Sequence, residues 1–137
     1  MIQRIQTLWL FLAGLFAFLT VKFPTYGGYV DSTKPYEELN GMSGGFLILL
    51  CTILTGVLAW VGIAMFRNRS VQTYICIAGI ATEAVLCYLY KARTAVFVDG
   101  MFSFFALFHL LVIVFFILAL TGIRKDEKMV RESDRLR

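Results

Sequence analysis

The chain is 137 residues long, 59% hydrophobic, 15% aromatic and 16% charged, with a formal net charge of +4. A soluble globular domain is usually about 45–50% apolar and about 25% charged, so both departures argue against an ordinary soluble domain and for a membrane protein. The aromatic residues lie in apolar runs and not among basic ones, so no nucleic-acid partner is expected, and the length is that of one folded unit.

A helix rises ~1.5 Å per residue, and a hydrocarbon layer of ~30 Å takes about 20 apolar residues to cross. The first segment of that length is Ile5–Phe23 (IQTLWLFLAGLFAFLTVKF), weakened at its far end by Lys22. Arg4 precedes it, but no small-x-small cleavage site follows, so it is read as a retained span and not a signal peptide. Next comes the loop 24–43, which together with the glycine pair at its end holds both prolines and five of the eleven glycines. It is too polar to enter lipid. An extended stretch at Tyr29–Asp31 and a turn at Lys34–Pro35 are expected there.

The second span is Gly44–Phe66 and the third Val71–Tyr90. The inner connection between them (FRNRS) is so short that it forces an antiparallel hairpin. A second outer loop, 91–100, contains Thr94–Val98 (TAVFV), which has strand-forming composition. It can pair with the first outer loop into a small β cap, and two irregular loops fit the composition as well. The fourth span is Met101–Ile123. Lipid requires each backbone group to be satisfied within its own segment, so all four spans should be helices. The expected fold is all-α: residues 1–123 form a four-helix antiparallel transmembrane bundle, and 124–137 form a charged tail.

Lys and Arg set the direction. Arg4, Arg67, Arg69, Arg124, Lys125, Lys128, Arg131, Arg135 and Arg137 fall on one side; Lys22, Lys34, Lys91 and Arg93 fall on the other. The richer side is expected in the cytoplasm, with both termini. Trp9 and Tyr74 near that side, and Tyr88 and Tyr90 near the other, suit interfacial depths. Trp60 reads as a core aromatic. Gly14, Gly56, Gly62 and Gly79 read as close-packing points between helices.

One ionisable pair stands inside the apolar segments. Glu83 lies seven residues before Tyr90, ~10 Å below the outer boundary. His109, the single histidine, lies eight residues into the fourth span. Each is thirteen residues from Val96, the midpoint of the connecting loop, so an antiparallel hairpin sets them at one depth. A lone ionised acid at helix centre costs roughly 2.5–3.5 kcal/mol. A shared hydrogen bond or an ion pair would lower that cost. Cys76, Cys87 and Tyr90 share the Glu83 face; Phe102, Phe105, Val112 and Phe116 share that of His109.

Two roles are open for this candidate polar pair, Glu83 and His109. A proton-carrying or ligand-binding site is one. A clamp that fixes helix register, worth about 0.6–2 kcal/mol, is the other, and it is favoured because polar groups do not reach both surfaces. The three cysteines, Cys51, Cys76 and Cys87, lie in spans without a C-x-x-C pair and read as small hydrophobes; a redox pairing of Cys51 with Cys87 is the weaker alternative. With one histidine, no metal site, cofactor or catalytic residue is expected.

The tail holds six basic and four acidic residues, with Glu127 and Arg131 spaced to support a helix leaving the fourth span. Arg124, Lys125, Lys128, Arg131 and Arg135 are candidate contacts for lipid headgroups or a protein partner. The opening MIQRIQT before an aromatic-rich span and the closing IRKDEKMVR-x-x-DRLR resemble a family of small four-span bacterial inner-membrane proteins, the domain-of-unknown-function family number 4293. The resemblance implies that location and layout, and no activity, cofactor or substrate. Glu83 and His109 lie outside the terminal motifs that carry it. The expected function is a non-catalytic accessory or scaffold subunit, binding other membrane proteins or a second copy of itself in the bilayer; the alternative is a small transporter or ligand-binding membrane protein using Glu83 and His109.

Overall fold

The computed structural model describes residues 3–31 and 33–135, with side chains for 5–31 and 33–133. Arg137 and the side chains of Arg4 and Arg135, counted above among the charged groups, lie outside the described residues. Helix α1 spans Gln3–Lys22, strand β1 Tyr26–Tyr29 and strand β2 Glu37–Leu39. Helix α2 spans Phe46–Ala64, α3 Arg69–Thr94, strand β3 Asp99–Phe102 and α4 Leu107–Arg135, the last entered through a 3-10 turn at Phe104–Ala106. All four helices are long and apolar enough to cross a membrane. They pack in a ring, α1 against α2 and α4, and α3 against α2 and α4. The protein is thus a four-span membrane bundle with a small sheet at one end and the start of α1 and the end of α4 at the other.

The buried positions explain the ring. In α1 they are Gln6, Leu10, Ala13, Ala17 and Thr20, and in α2 Ile48, Thr52, Thr55, Ala59 and Gly62, with the close-packing Gly14 and Gly56 buried beside these stripes. In α3 they are Gln72, Cys76, Gly79, Glu83, Leu86 and Tyr90, and in α4 His109, Val112, Phe116, Ala119, Ile123 and Asp126. Each series advances by alternating steps of three and four. That is a heptad seam, and it keeps one stripe of each helix facing its neighbours along its whole length. The threonines on the seams satisfy themselves: Thr20, Thr52 and Thr55 donate to the carbonyls of Ala17, Ile48 and Cys51.

Small residues let the helices approach. A Cβ on Gly14 would strike the Trp60 indole, and one on Gly56 or Gly79 would lie 2.7 Å or 2.5 Å from the rings of Phe18 or Phe116. Gly62 is in ordinary contact, 3.4 Å from Ile75 and Leu10. Trp60 is half exposed, lying over Gly14 and edge-on to Phe18. Between α1 and α4 an aromatic ladder repeats every seven residues: Trp9 stacks on Phe115, Phe16 touches Phe115 and Phe108, and Phe23 touches Phe108 and Phe105.

The sheet is antiparallel, in the order β2-β1-β3. Its strands are not where composition set them. Thr94 ends α3, and Ala95–Val98 is the turn after it, although TAVFV has the better strand propensity. β3 is Asp99–Phe102 because Gly100 must pass Gly28 at backbone contact, which no side chain at either position would permit. Tyr26 of β1 then packs edge-on between Phe97 and Phe102. The start of the fourth helix moves for the same reason. Met101 and Phe102 are in the strand, Ser103 Oγ accepts from the Phe105 N–H, and α4 opens only at Leu107. Phe102 therefore does not share a helical face with His109. Tyr90 differs from the interfacial reading as well: it is 3% exposed, in a small core with Tyr26, Leu39, Ile48 and Leu86.

Candidate functional site

Glu83 and His109 occupy seam positions of adjacent helices, so the heptad turns both side chains into the bundle. Their relative exposures are 1% and 4%, and His109 Nδ1 lies 2.6 Å from Glu83 Oε1. His109 Nε2 lies 3.1 Å from the hydroxyl oxygen of Thr25. If Glu83 is ionised, Nδ1–H donates to it, and Nε2 takes either role with the hydroxyl according to the proton count. The Tyr90 ring packs against the imidazole at a centroid distance of 4.9 Å.

Thr25 is the member that the sequence did not point to. It follows α1 and precedes β1, and the sheet holds its backbone on both sides. Its N–H donates to the Leu39 carbonyl at 2.8 Å, and its own carbonyl accepts from the Ser103 N–H at 3.0 Å. The small sheet therefore has a positioning role: it sets one hydroxyl over the histidine. A polar residue directly between the end of a span and a strand was the available signal.

The cluster is not fully satisfied. Glu83 Oε2 is buried and accepts no hydrogen bond. The Tyr90 hydroxyl is buried and has no hydrogen-bond partner of good geometry among the described residues. Cys87, one helical turn after Glu83 and half-buried, brings its thiol to the same place. All three cysteines, Cys51, Cys76 and Cys87, are free.

At the opposite end a second polar tie joins three helices. The Gln6 amide donates to Asp126 Oδ2 at 2.7 Å, and Arg69 Nη1 donates to the Asp126 carbonyl at 3.1 Å. Nearby, the Gln72 amide donates to the Gly62 carbonyl at 3.0 Å. Asp126 is only 6% exposed although it lies in the charged tail. The helix continues past it, with Arg124, Lys125, Lys128 and Arg131 exposed. Lys128 lies 3.9 Å from Glu132, whereas Glu127 and Arg131 line an open groove of about 750 Å³ with Arg67, Arg69, Ser70 and Val130. A smaller groove of about 470 Å³ lies between the sheet-end parts of α2 and α3, lined by Phe46, Ile48, Leu89 and Arg93 among others. Neither groove includes Glu83 or His109.

No curated protein and no solved structure matches the chain. A family model described as a domain of unknown function, DUF4293, matches residues 2–136. Nearly the whole chain is covered, and the protein belongs to the DUF4293 family.

Proposed function

We propose that this protein is a non-catalytic accessory or scaffold subunit of the bacterial inner membrane, with both termini in the cytoplasm and the sheet outside. The uneven division of Lys and Arg between the two ends supports that direction. The observation that carries the role is the continuation of α4 beyond the bundle. Its 29 residues make a rod of ~43 Å, ~13 Å more than a hydrocarbon layer. Asp126 ties that rod to α1 and α3 just before it leaves, so the exposed turns after it have a fixed direction. They form, with the α2–α3 turn, a groove carrying Arg67, Arg69 and Arg131 against one acid, Glu127. The excess positive charge suits an acidic cytoplasmic segment of another membrane protein.

A photoreactive residue introduced at Val130, in that groove and exposed, tests the reading in native membranes. A discrete cross-linked protein partner is expected, and Arg131→Glu should abolish it. Adducts to lipid alone would overturn the role.

A second reading has its own support. Glu83 and His109 are in contact in the bundle interior with an oxygen unpaired, which suits a ligand-binding or transport site. Proton-coupled flux into vesicles carrying the purified protein, lost in Glu83→Gln with the fold intact, is its test.

A further inference from the structure

We infer that Glu83, Cys87 and His109 form a binding site for a divalent transition-metal ion of the zinc and cobalt kind. The inference gives a ligand class to the second reading above and does not depend on the role of α4. One carboxylate oxygen, one ring nitrogen and the Cys87 sulfur all lie within 4.8 Å of one another. Metal–ligand bonds of about 2.0–2.3 Å in a tetrahedron put donors roughly 3.5 Å apart, so the thiol needs to close by little more than ~1 Å while Nδ1 and Oε1, now 2.6 Å apart, open by about 1 Å to admit the ion. Glu83 and Cys87 are one turn apart on α3 and His109 faces them from α4, so rotation of the half-buried thiol and the carboxylate supplies that movement without shifting a helix.

An independent observation points to a ligand here. Glu83 is 1% exposed, and its Oε2 accepts no hydrogen bond. A cation bound by the carboxylate would satisfy that oxygen, which His109 alone leaves unpaired. The surroundings of the histidine fit as well. With Nε2–H donating to Thr25 Oγ, the ring is held in the tautomer that leaves Nδ1 for the metal once the proton now shared with Glu83 departs. Binding therefore releases that proton and the thiol proton of Cys87. The donor set of thiolate, imidazole and carboxylate selects zinc-like ions over magnesium or calcium, which take oxygen ligands. Three protein donors leave a fourth position for water or a small ligand.

The sequence did not show this because the three residues make no recognised ligand spacing. Two are a helical turn apart, and the third is twenty-two residues beyond Cys87, across the sheet-end turn.

The test is titration of the intact protein in mild detergent with Co²⁺ as a visible probe. One equivalent should produce a thiolate-to-cobalt charge-transfer band and the intense d–d bands of a tetrahedral site. Zn²⁺ should abolish both, and excess Mg²⁺ should not. Cys87→Ser, a near-isosteric change at a half-buried position, should remove the charge-transfer band. Glu83→Gln should weaken binding at least tenfold. Absence of a saturable band in the wild-type protein, or a Cys87→Ser protein with the wild-type spectrum, would overturn the inference. Flux that depends on Glu83 in a protein that binds no Co²⁺ would sink the metal alone and leave the second reading standing.

Discussion

The two ends of the bundle solve the same problem differently. Each buries a carboxylate, Glu83 of α3 at the sheet end and Asp126 of α4 at the terminal end. Asp126 is the last buried position of the α4 seam, three residues after Ile123. A neutral amide from Gln6 meets its side chain, an arginine meets its backbone, and exposed basic residues flank it. Glu83 lies a further turn or two inside the hydrophobic seam, and its one partner is a histidine. To position that histidine the chain devotes a three-stranded sheet and a threonine, and one carboxylate oxygen is still unpaired. A tie needs only to be satisfied. The end where satisfaction is incomplete, in spite of more supporting structure, is the one with capacity to bind something else.

The comparison breaks most visibly at Glu83. Replacing it by alanine leaves His109 Nδ1 buried without a partner and empties a seam position, which should cost about 3 kcal/mol. Thermal unfolding in mild detergent measures it. Glu83→Gln keeps an acceptor for Nδ1–H and should recover part of the loss. Equal losses in both variants would mean that the carboxylate charge, and not the hydrogen bond, holds the helices. The matching change at the other end, Asp126→Ala, strands only a neutral amide near water, so about 1–2 kcal/mol is expected in the same assay. If Asp126→Ala proved the more damaging, the two ends would have been ranked in the wrong order.

Much of this architecture can be read from residue order. Apolar length marks the spans, and counting outward from Val96 pairs Glu83 with His109, although the symmetric short loop behind that count is not what forms: Glu83 lies eleven residues before the end of α3 and His109 two residues into α4, and β3 with the 3-10 turn brings the chain back between them. Strand placement cannot be read that way. TAVFV has the propensity, yet DGMF forms the strand, since pairing with YGGY depends on two glycines passing at backbone contact. Thr25 shows only as a polar residue just past the first span, because the neighbours that give it a role are fixed by the sheet. Asp126 was legible in principle. The steps of three and four from His109 through Ile123 arrive at it, but its place among charged residues makes it look like solvated tail.

A smaller effect sharpens the role of the sheet. Thr25→Val keeps the shape and removes the hydroxyl beside His109 Nε2. A loss of about 1 kcal/mol is expected. If a metal is held by Nδ1, the same variant should also weaken Co²⁺ binding by about tenfold, because the ring loses the group that fixes its tautomer. A variant that unfolds earlier but binds cobalt as before would restrict Thr25 to the clamp.

The smallest effect is expected from the tail's exposed ion pair. Lys128 and Glu132 are 3.9 Å apart, and their side chains are 78% and 62% exposed. At that exposure water screens the attraction, and ordering two long side chains offsets most of what remains, so pairs of this kind contribute about 0.3–0.5 kcal/mol on a helix. Lys128→Ala should therefore leave the unfolding midpoint within a degree or two. It should also leave cross-linking at Val130 intact, since Arg131, Arg67 and Arg69 line the groove and Lys128 does not. A large destabilisation would mean that the tail helix is held by its surface charges and not by Asp126. Its fixed direction, on which the docking role rests, would then have lost its physical cause.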